Sequence, residues 1–241
     1  MKILEYIRQA KKEQRKLLAI LIDPDKISNT DVLISSLKSY PPDLIFIGGS
    51  SVEKSQFDLV IEAIYKNNIC PVIIFPGDHK QVSDYSDAIL LLSLISGRNP
   101  EYLIGQHVKA AQTLERYNGD VIPTSYVLVN GFQRTSVQEI SQTEPLNPND
   151  IDLIVDTVIA GKLMGHQLHY LEAGSGAKKS IPSLVIKSVS ACSPHPIIVG
   201  GGIRDIETAR DIWQAGADVI VVGNGFEDRP SLLEELLGSR S

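Results

Sequence analysis

Residues 196–226, PIIVGGGIRDIETARDIWQAGADVIVVGNGF, constrain the fold more than any other part of the chain. An apolar run from Pro196 to Val199 stops at Gly200, Gly201 and Gly202. An amphipathic stretch over 205–215 follows, and a second apolar run, 218–222, stops at Gly223-Asn224-Gly225. Strand, glycine turn, helix, strand, glycine turn is one βαβ unit with both turns at the C-terminal ends of its strands. Glycine at such a turn lets backbone N–H groups approach an anion with no Cβ in the way. The same residues also suit ordinary tight connections. Two such turns one unit apart favour a phosphate grip, because the loops after strands seven and eight are the usual phosphate site of an eightfold barrel.

The rest of the chain repeats the alternation. Strands are expected at 17–22, 44–47, 71–75, 87–92, within 121–129, and at 167–172, ahead of the two already described. Helices are expected at 2–16, with Ile3, Ile7 and Ala10 or Lys11 on one stripe, at 31–40 behind a cap at Asn29 or Thr30, and at 57–67. Others are expected at 80–85, 100–117, 148–164 behind Asn147, 181–191 and 231–237. The strands are near-continuous Val, Ile and Leu, as in a parallel sheet buried on both faces. Eight alternations predict a closed (β/α)8 TIM barrel, one α/β domain over 1–241, with a helix ahead of the first strand. A length of 241 residues suits one such barrel. The longest irregular piece, 130–149, follows strand five and is expected over the active face, as a functional or mobile loop.

The net charge of -6 argues against a nucleic-acid surface. The only cysteines, Cys70 and Cys192, match no metal spacing, and a reduced, cytoplasmic protein is expected. The N-terminus lacks the apolar centre of a signal peptide, and no apolar run is long enough to span a bilayer. Contact with lipid would be peripheral.

Barrel chemistry sits at the C-terminal ends of strands. After strand one stands Asp23-Pro24-Asp25-Lys26, and after strand two Gly48-Gly49-Ser50-Ser51. Asp23 and Ser50 are hard oxygens that could hold Mg²⁺, although the first segment equally suits a turn and cap. Asp25 reads as a cap or a partner of Lys26. Tyr170 and Glu172 alternate on strand six, so both face one side and could reach one ligand, a phenol and a carboxylate suited to a polyol phosphate. Gly174 and Gly176 offer further backbone donors; a capping Glu beside a packing Tyr is the plainer alternative. Strand four, Leu90-Leu91-Leu92-Ser93-Leu94-Ile95, stays apolar where a sugar-phosphate enzyme would carry an acid or base. It reads either as core or as one side of a hydrocarbon groove, with Leu92, Leu94 and Leu103 as candidates. His166 and His169 are expected on opposite faces of a strand, His79, His107 and His195 at the surface or helix ends, Trp213 in barrel-to-helix packing, and Lys178 and Lys179 on the surface.

The order LIDPDK, FIGGSS, FPGDHKQVSDYSDAILLLSLISGRNPEYLIG, YLEAGSGA, IVGGGIRD and VGNGFE resembles the geranylgeranylglyceryl phosphate synthases over nearly the whole chain. The resemblance implies a prenyltransferase that joins geranylgeranyl diphosphate to the C3 hydroxyl of sn-glycerol 1-phosphate with Mg²⁺, in ether lipid biosynthesis, from a homo-oligomer. It implies metal ligation by Asp23 and Ser50. It implies glycerol phosphate contact by Tyr170, Leu171, Glu172, Ala173, Gly174, Ser175 and Gly176, by Gly201 and Gly202, and by Gly223 and Asn224. Glu172 is then the candidate base, with Tyr170 orienting the hydroxyl. The chain departs from the related heptaprenyl enzymes at Leu21, where those carry a lysine two residues ahead of the aspartate. Two other readings stand beside this one: a phosphate-binding barrel isomerase or flavin enzyme, and a non-catalytic barrel that binds a phospho-ligand or lipid.

Overall fold

The computed structural model describes residues 2–223 and 231–238. Eight parallel strands close a barrel in sequence order: β1 (Leu17–Ile22), β2 (Leu44–Ile47), β3 (Val72–Ile74), β4 (Ala88–Leu94), β5 (Asp120–Leu128), β6 (Leu168–Glu172), β7 (Ile197–Gly200) and β8 (Val219–Val222), with β8 pairing back onto β1. Among the described residues the α-helices are α1 (Ile3–Lys12), α2 (Thr30–Ser39), α3 (Lys54–Lys66), α4 (Gln106–Leu114), α5 (Ser136–Ser141), α6 (Ile151–Leu163), α7 (Ser183–Cys192), α8 (Ile206–Gln214) and α9 (Ser231–Gly238). This is the (β/α)8 barrel expected, with α1 preceding β1.

Side chains alternate along each strand, and two cores result. One fills the barrel: Leu17, Ala19, Leu44, Phe46, Leu90, Tyr126, Tyr170, Ile198 and Val219 belong to it. The other lies between strands and helices and takes the residues in between, such as Leu18, Ile20, Ile45, Leu171 and Val199, together with Trp213. The inner core also contains Ile3, Ile7 and Ala10, the apolar stripe of α1. That helix therefore closes the N-terminal end of the barrel, and each buried Ile contributes about 1.5–3 kcal/mol. Polar ties hold it there: Lys11 Nζ is 2.9 Å from Asp218 Oδ2, and Arg8 donates to Gln167. With the N-terminal end plugged, the C-terminal end of the barrel is left open to a ligand.

Four connections differ from expectation. Residues 80–85 are not helical, and among the described residues nothing helical joins β3 to β4. The buried Gln81 side chain holds this stretch by bonding the backbone N–H and C=O of Gly49 and the N–H of Gly77, while Asp78 takes the Lys80 N–H. These side-chain bonds compete with a helical turn. The helix over 100–117 starts as a wide π-turn, Glu101–Gly105, before α4. Helix α6 is capped by Asp150, whose side chain accepts the Leu153 N–H, whereas Asn147 closes the preceding turn on Asn149. Finally, the stretch 130–149 is not wholly irregular. It contains α5, started by a capping box between Thr135 and Gln138.

Candidate active site

A cavity of about 1040 Å³ opens at the C-terminal end of the barrel. Its polar side is built from the ends of β6, β7, β8, β1 and β2: Tyr170, Glu172, Ser175, Gly176, Gly201, Gly202, Gly223, Asp23 and Ser50 all line it. Its apolar side is built from β3, β4 and α4, with Phe75, Leu91, Leu92, Leu94, Ala110 and Leu114 in the wall. The absence of a helix between β3 and β4 explains the second half. Ile89 belongs to the outward-facing layer of β4, yet it and its alternate neighbour Leu91 line the cavity. The space therefore runs from the barrel mouth along the outside of β4, against α4. Residues Ser136, Val137, Glu139, Ile140 and Ser141 of α5 form one wall of the mouth.

Glu172 is the chemical centre of the polar half. It is buried, and burial pushes its carboxyl from the usual 4.5 up to about 7, against the opposing pull of the Gly174 N–H and the Tyr170 phenol. Gly174 donates to Oε1 at 2.6 Å. Tyr170 is fully buried in an aromatic cluster, 5.1 Å from Phe75 and 5.5 Å from Tyr126 between ring centroids. Its hydroxyl is in no well-formed hydrogen bond. Glu172 is nonetheless near enough to act on its ionisation: burial first, then the Glu172 charge, holds the phenol well above its usual range. A buried phenol beside a buried carboxyl in one cavity wall is a group set up for a polar ligand.

The glycines divide by role. A Cβ on Gly201 would lie 2.6 Å from Glu172 Oε1, and one on Gly202 would lie 2.6 Å from the Lys179 backbone, so both are required for the β6 and β7 loops to pack. Both also have left-handed φ, +85° and +71°. Gly223 is different: among the described residues a Cβ there would meet nothing within 4 Å, although Gly223 lines the cavity. Packing among the described residues does not account for its lack of a side chain, but the approach of a ligand to backbone would.

The stretch 170–176 does not face the cavity as a unit. Leu171 and Ala173 lie in the outward core, as alternation on β6 demands. Gly174 is buried, and its N–H is already committed to Glu172. Tyr170, Glu172, Ser175 and Gly176 do line the space. Asn224 lies outside the described residues. Leu103 packs into the outer core, whereas Leu92 and Leu94 line the cavity. His79 and His107 line it as well, His107 from the first turn of α4, the helix end expected, and its Nε2 sits 2.8 Å from the Leu92 carbonyl. His166 precedes β6 rather than lying on it and meets the Ser125 hydroxyl; His169 meets the Ser193 hydroxyl. Lys178 and Lys179 are exposed.

At the β1 end, Asp23 caps the turn Pro24–Lys26 by accepting the Asp25 N–H, and Lys26 reaches Asp23, at 3.1 Å, three residues back. The β2 turn packs closely here, since a Cβ on Gly49 would lie 2.8 Å from Asp23 Oδ1. Among the described residues no three His, Cys, Asp or Glu side chains cluster to bind a metal. One carboxylate and one hydroxyl, Asp23 and Ser50, nevertheless suit Mg²⁺, which keeps several waters or phosphate oxygens and needs few protein ligands. Sequence reasoning missed Phe75, Tyr126, Gln106 and Arg204 in the cavity wall, and Gln81, which holds the turns behind it. Phe75 and Tyr126 sit inside apolar runs, where nothing distinguishes a cavity wall from core.

Residues 9–238 match the PcrB family. The geranylgeranylglyceryl phosphate synthase of Flavobacterium johnsoniae is 47% identical over 226 residues, covering 93% of each chain. That of Pyrococcus furiosus is 36% identical over 236 residues, covering 97% of this chain and 93% of the other. The crystal structure of (S)-3-O-geranylgeranylglyceryl phosphate synthase from Thermoplasma acidophilum, in complex with its substrate sn-glycerol-1-phosphate, superposes with a TM-score of 0.92 at 30% identity, over 100% of this chain and 98% of that one. Thiamine phosphate pyrophosphorylase from Pyrococcus furiosus, at 13% identity and a TM-score of 0.57, shares the fold alone.

Proposed function

The chain belongs to the PcrB family, and we propose that it is a prenyltransferase that joins the geranylgeranyl group of geranylgeranyl diphosphate to the C3 hydroxyl of sn-glycerol 1-phosphate, releasing diphosphate, in ether lipid biosynthesis. The observation that carries the reading is Glu172: a buried carboxyl held near 7, beside a buried phenol, in a cavity polar on one side and apolar on the other. Its relatives bear the name of this activity.

The residues suggest how the reaction proceeds. The phosphate of glycerol phosphate lies against the turns at Ser175-Gly176, Gly201-Gly202 and Gly223, where backbone N–H groups and small residues leave room. Tyr170 orients the C3 hydroxyl. Glu172 takes its proton as the oxygen bonds to C1 of the prenyl chain, and the C1–O bond to diphosphate breaks with its electron pair leaving on the diphosphate. Gly174 holds Oε1, which leaves Oε2 for the hydroxyl. A carboxyl near 7 is matched to proton transfer at neutral pH. Asp23 and Ser50 would hold Mg²⁺, which when bound supplies positive charge to the departing diphosphate. The tail lies along Leu91, Leu92, Leu94, Ala110 and Leu114, where the wall is apolar. Strand β4 offers no acid or base for isomerase chemistry.

No helix among the described residues is long and apolar enough to cross a membrane. We take the protein to meet lipid peripherally and to act in the cytoplasm as a homo-oligomer, for which exposed Leu163 and Met164 at the C-terminal end of α6 offer apolar surface. The deciding assay supplies radiolabelled sn-glycerol 1-phosphate, geranylgeranyl diphosphate and Mg²⁺, followed by extraction into organic solvent. Label is expected in the organic phase with the 1-phosphate and not with the 3-phosphate. Folded protein that transfers nothing from prenyl donors of any length would overturn the assignment.

A further inference from the structure

The turn after β1 contains an ion pair with a second use. Asp23 Oδ1 accepts the Asp25 N–H at 3.3 Å, and Oδ2 lies 3.1 Å from Lys26 Nζ. Lys26 therefore pairs with the proposed Mg²⁺ donor, where the sequence suggested Asp25. Both Asp23 and Lys26 line the cavity, and both are partly open to solvent, with 23% and 42% of their side chains exposed.

Among the described residues, Lys26 and Arg204 are the lysine and arginine that line the cavity. Arg204 donates to the carbonyls of Gly176 (3.4 Å) and Ala177 (3.1 Å), so its guanidinium braces the phosphate-side loop. Lys26 stands at the end of a three-residue turn on a flexible stem and presents one compact charge. An ammonium at 3.1 Å and a divalent cation cannot share one carboxylate oxygen without strong like-charge repulsion. A metal at Asp23 Oδ2 would therefore displace Lys26. The displaced ammonium stays tethered three residues away, beside whatever anion the metal holds. In the assigned reaction that anion is the donor's diphosphate.

We propose that Lys26 exchanges with Mg²⁺ at Asp23 and moves onto the diphosphate of the prenyl donor. The inference rests on the reaction assigned above. It gives this chain a cationic diphosphate contact from the turn after β1, although position 21, two residues ahead of Asp23, is a leucine. It also makes two opposite demands on one residue. Lys26 weakens the binding of Mg²⁺ alone, because it competes for Asp23, and strengthens the binding of diphosphate with Mg²⁺, because it adds a charge-assisted hydrogen bond.

The test uses K26M and K26R, with folding checked by circular dichroism, and calorimetric titration first with Mg²⁺ alone and then with inorganic pyrophosphate in saturating Mg²⁺. K26M is expected to bind Mg²⁺ alone about two- to fivefold more tightly, the scale of a partly exposed ion pair. It is expected to bind pyrophosphate about tenfold or more weakly, the scale of a lost hydrogen bond to a charged group. The KM for the prenyl donor should rise in parallel while that for glycerol phosphate stays unchanged, and K26R should restore pyrophosphate affinity. A purely structural lysine would move both affinities in one direction or neither, and that result would overturn the exchange. Wild-type protein that binds Mg²⁺ yet turns over no prenyl donor would overturn the assigned reaction instead. A K26M variant indistinguishable from an active wild type in both titrations would overturn the exchange alone.

Discussion

Glu172 should be destabilising at the pH where it works, and Glu172→Gln should reveal this. Burial raises its carboxyl from 4.5 to about 7. At about 1.4 kcal/mol for each tenfold change in proton affinity, the folded state bears about 3 kcal/mol of cost for holding the carboxylate charged. The sign follows from linkage. Below about 4.5 the group is neutral folded and unfolded, and it costs nothing. Between 4.5 and 7 the unfolded chain releases the proton first, so the folded state loses stability as pH rises. Above about 7 the loss is complete. Gln stays neutral throughout, and its side-chain carbonyl can still accept the Gly174 N–H that now bonds Oε1. Urea denaturation of both proteins from pH 4 to 8.5 should therefore show near-equal stability at the acid end. E172Q should gain progressively to about 3 kcal/mol by pH 8, or about 6–12 °C in Tm for a chain of this size. Transfer activity should fall about 10²–10⁴-fold, the usual effect of removing a general base. A stability difference that does not change between pH 5 and 8 would refute the buried, titrating carboxylate, and an unaltered kcat/KM would remove Glu172 from the reaction.

Wild-type kcat/KM should climb with pH through about 7 as Glu172 loses its proton, and stopped assays across pH 5.5–8 would show a flat profile if it is not the base. Gly223→Ala should leave urea stability within about 0.5 kcal/mol, because its Cβ meets nothing within 4 Å among the described residues, yet raise the KM for glycerol phosphate about tenfold; an unchanged KM would place the phosphate elsewhere. Leu91→Glu puts a charge into the apolar wall, so the KM for the prenyl donor should rise at least tenfold while glycerol phosphate binding, followed calorimetrically, stays as it was. Equal damage to both substrates would show that the wall is shared.

The sequence by itself determined the barrel, because strand and helix periodicities are local and eight apolar runs buried on both faces have few ways to close. It also determined the pairing of Tyr170 with Glu172, since a period of two places them on one face whatever surrounds the strand. The stripe of Ile3, Ile7 and Ala10 was equally legible, but its use as a plug in the barrel was not, because a stripe does not say which surface it covers. Tertiary structure alone decided the rest. Gln81 replaced an expected helix with side-chain bonds to two glycine turns from β2 and β3, and so left the outer side of β4 open as cavity wall. Leu91 and Leu171 are both outward-facing leucines, yet one lines a cavity and the other is core, according to what covers them. Asp23, not Asp25, received Lys26, because direction across a turn depends on the fold of the turn. Proton affinity at Glu172 was decided last and least locally. Its value near 7 comes from the water that the surrounding barrel excludes, and no residue type or spacing encodes that.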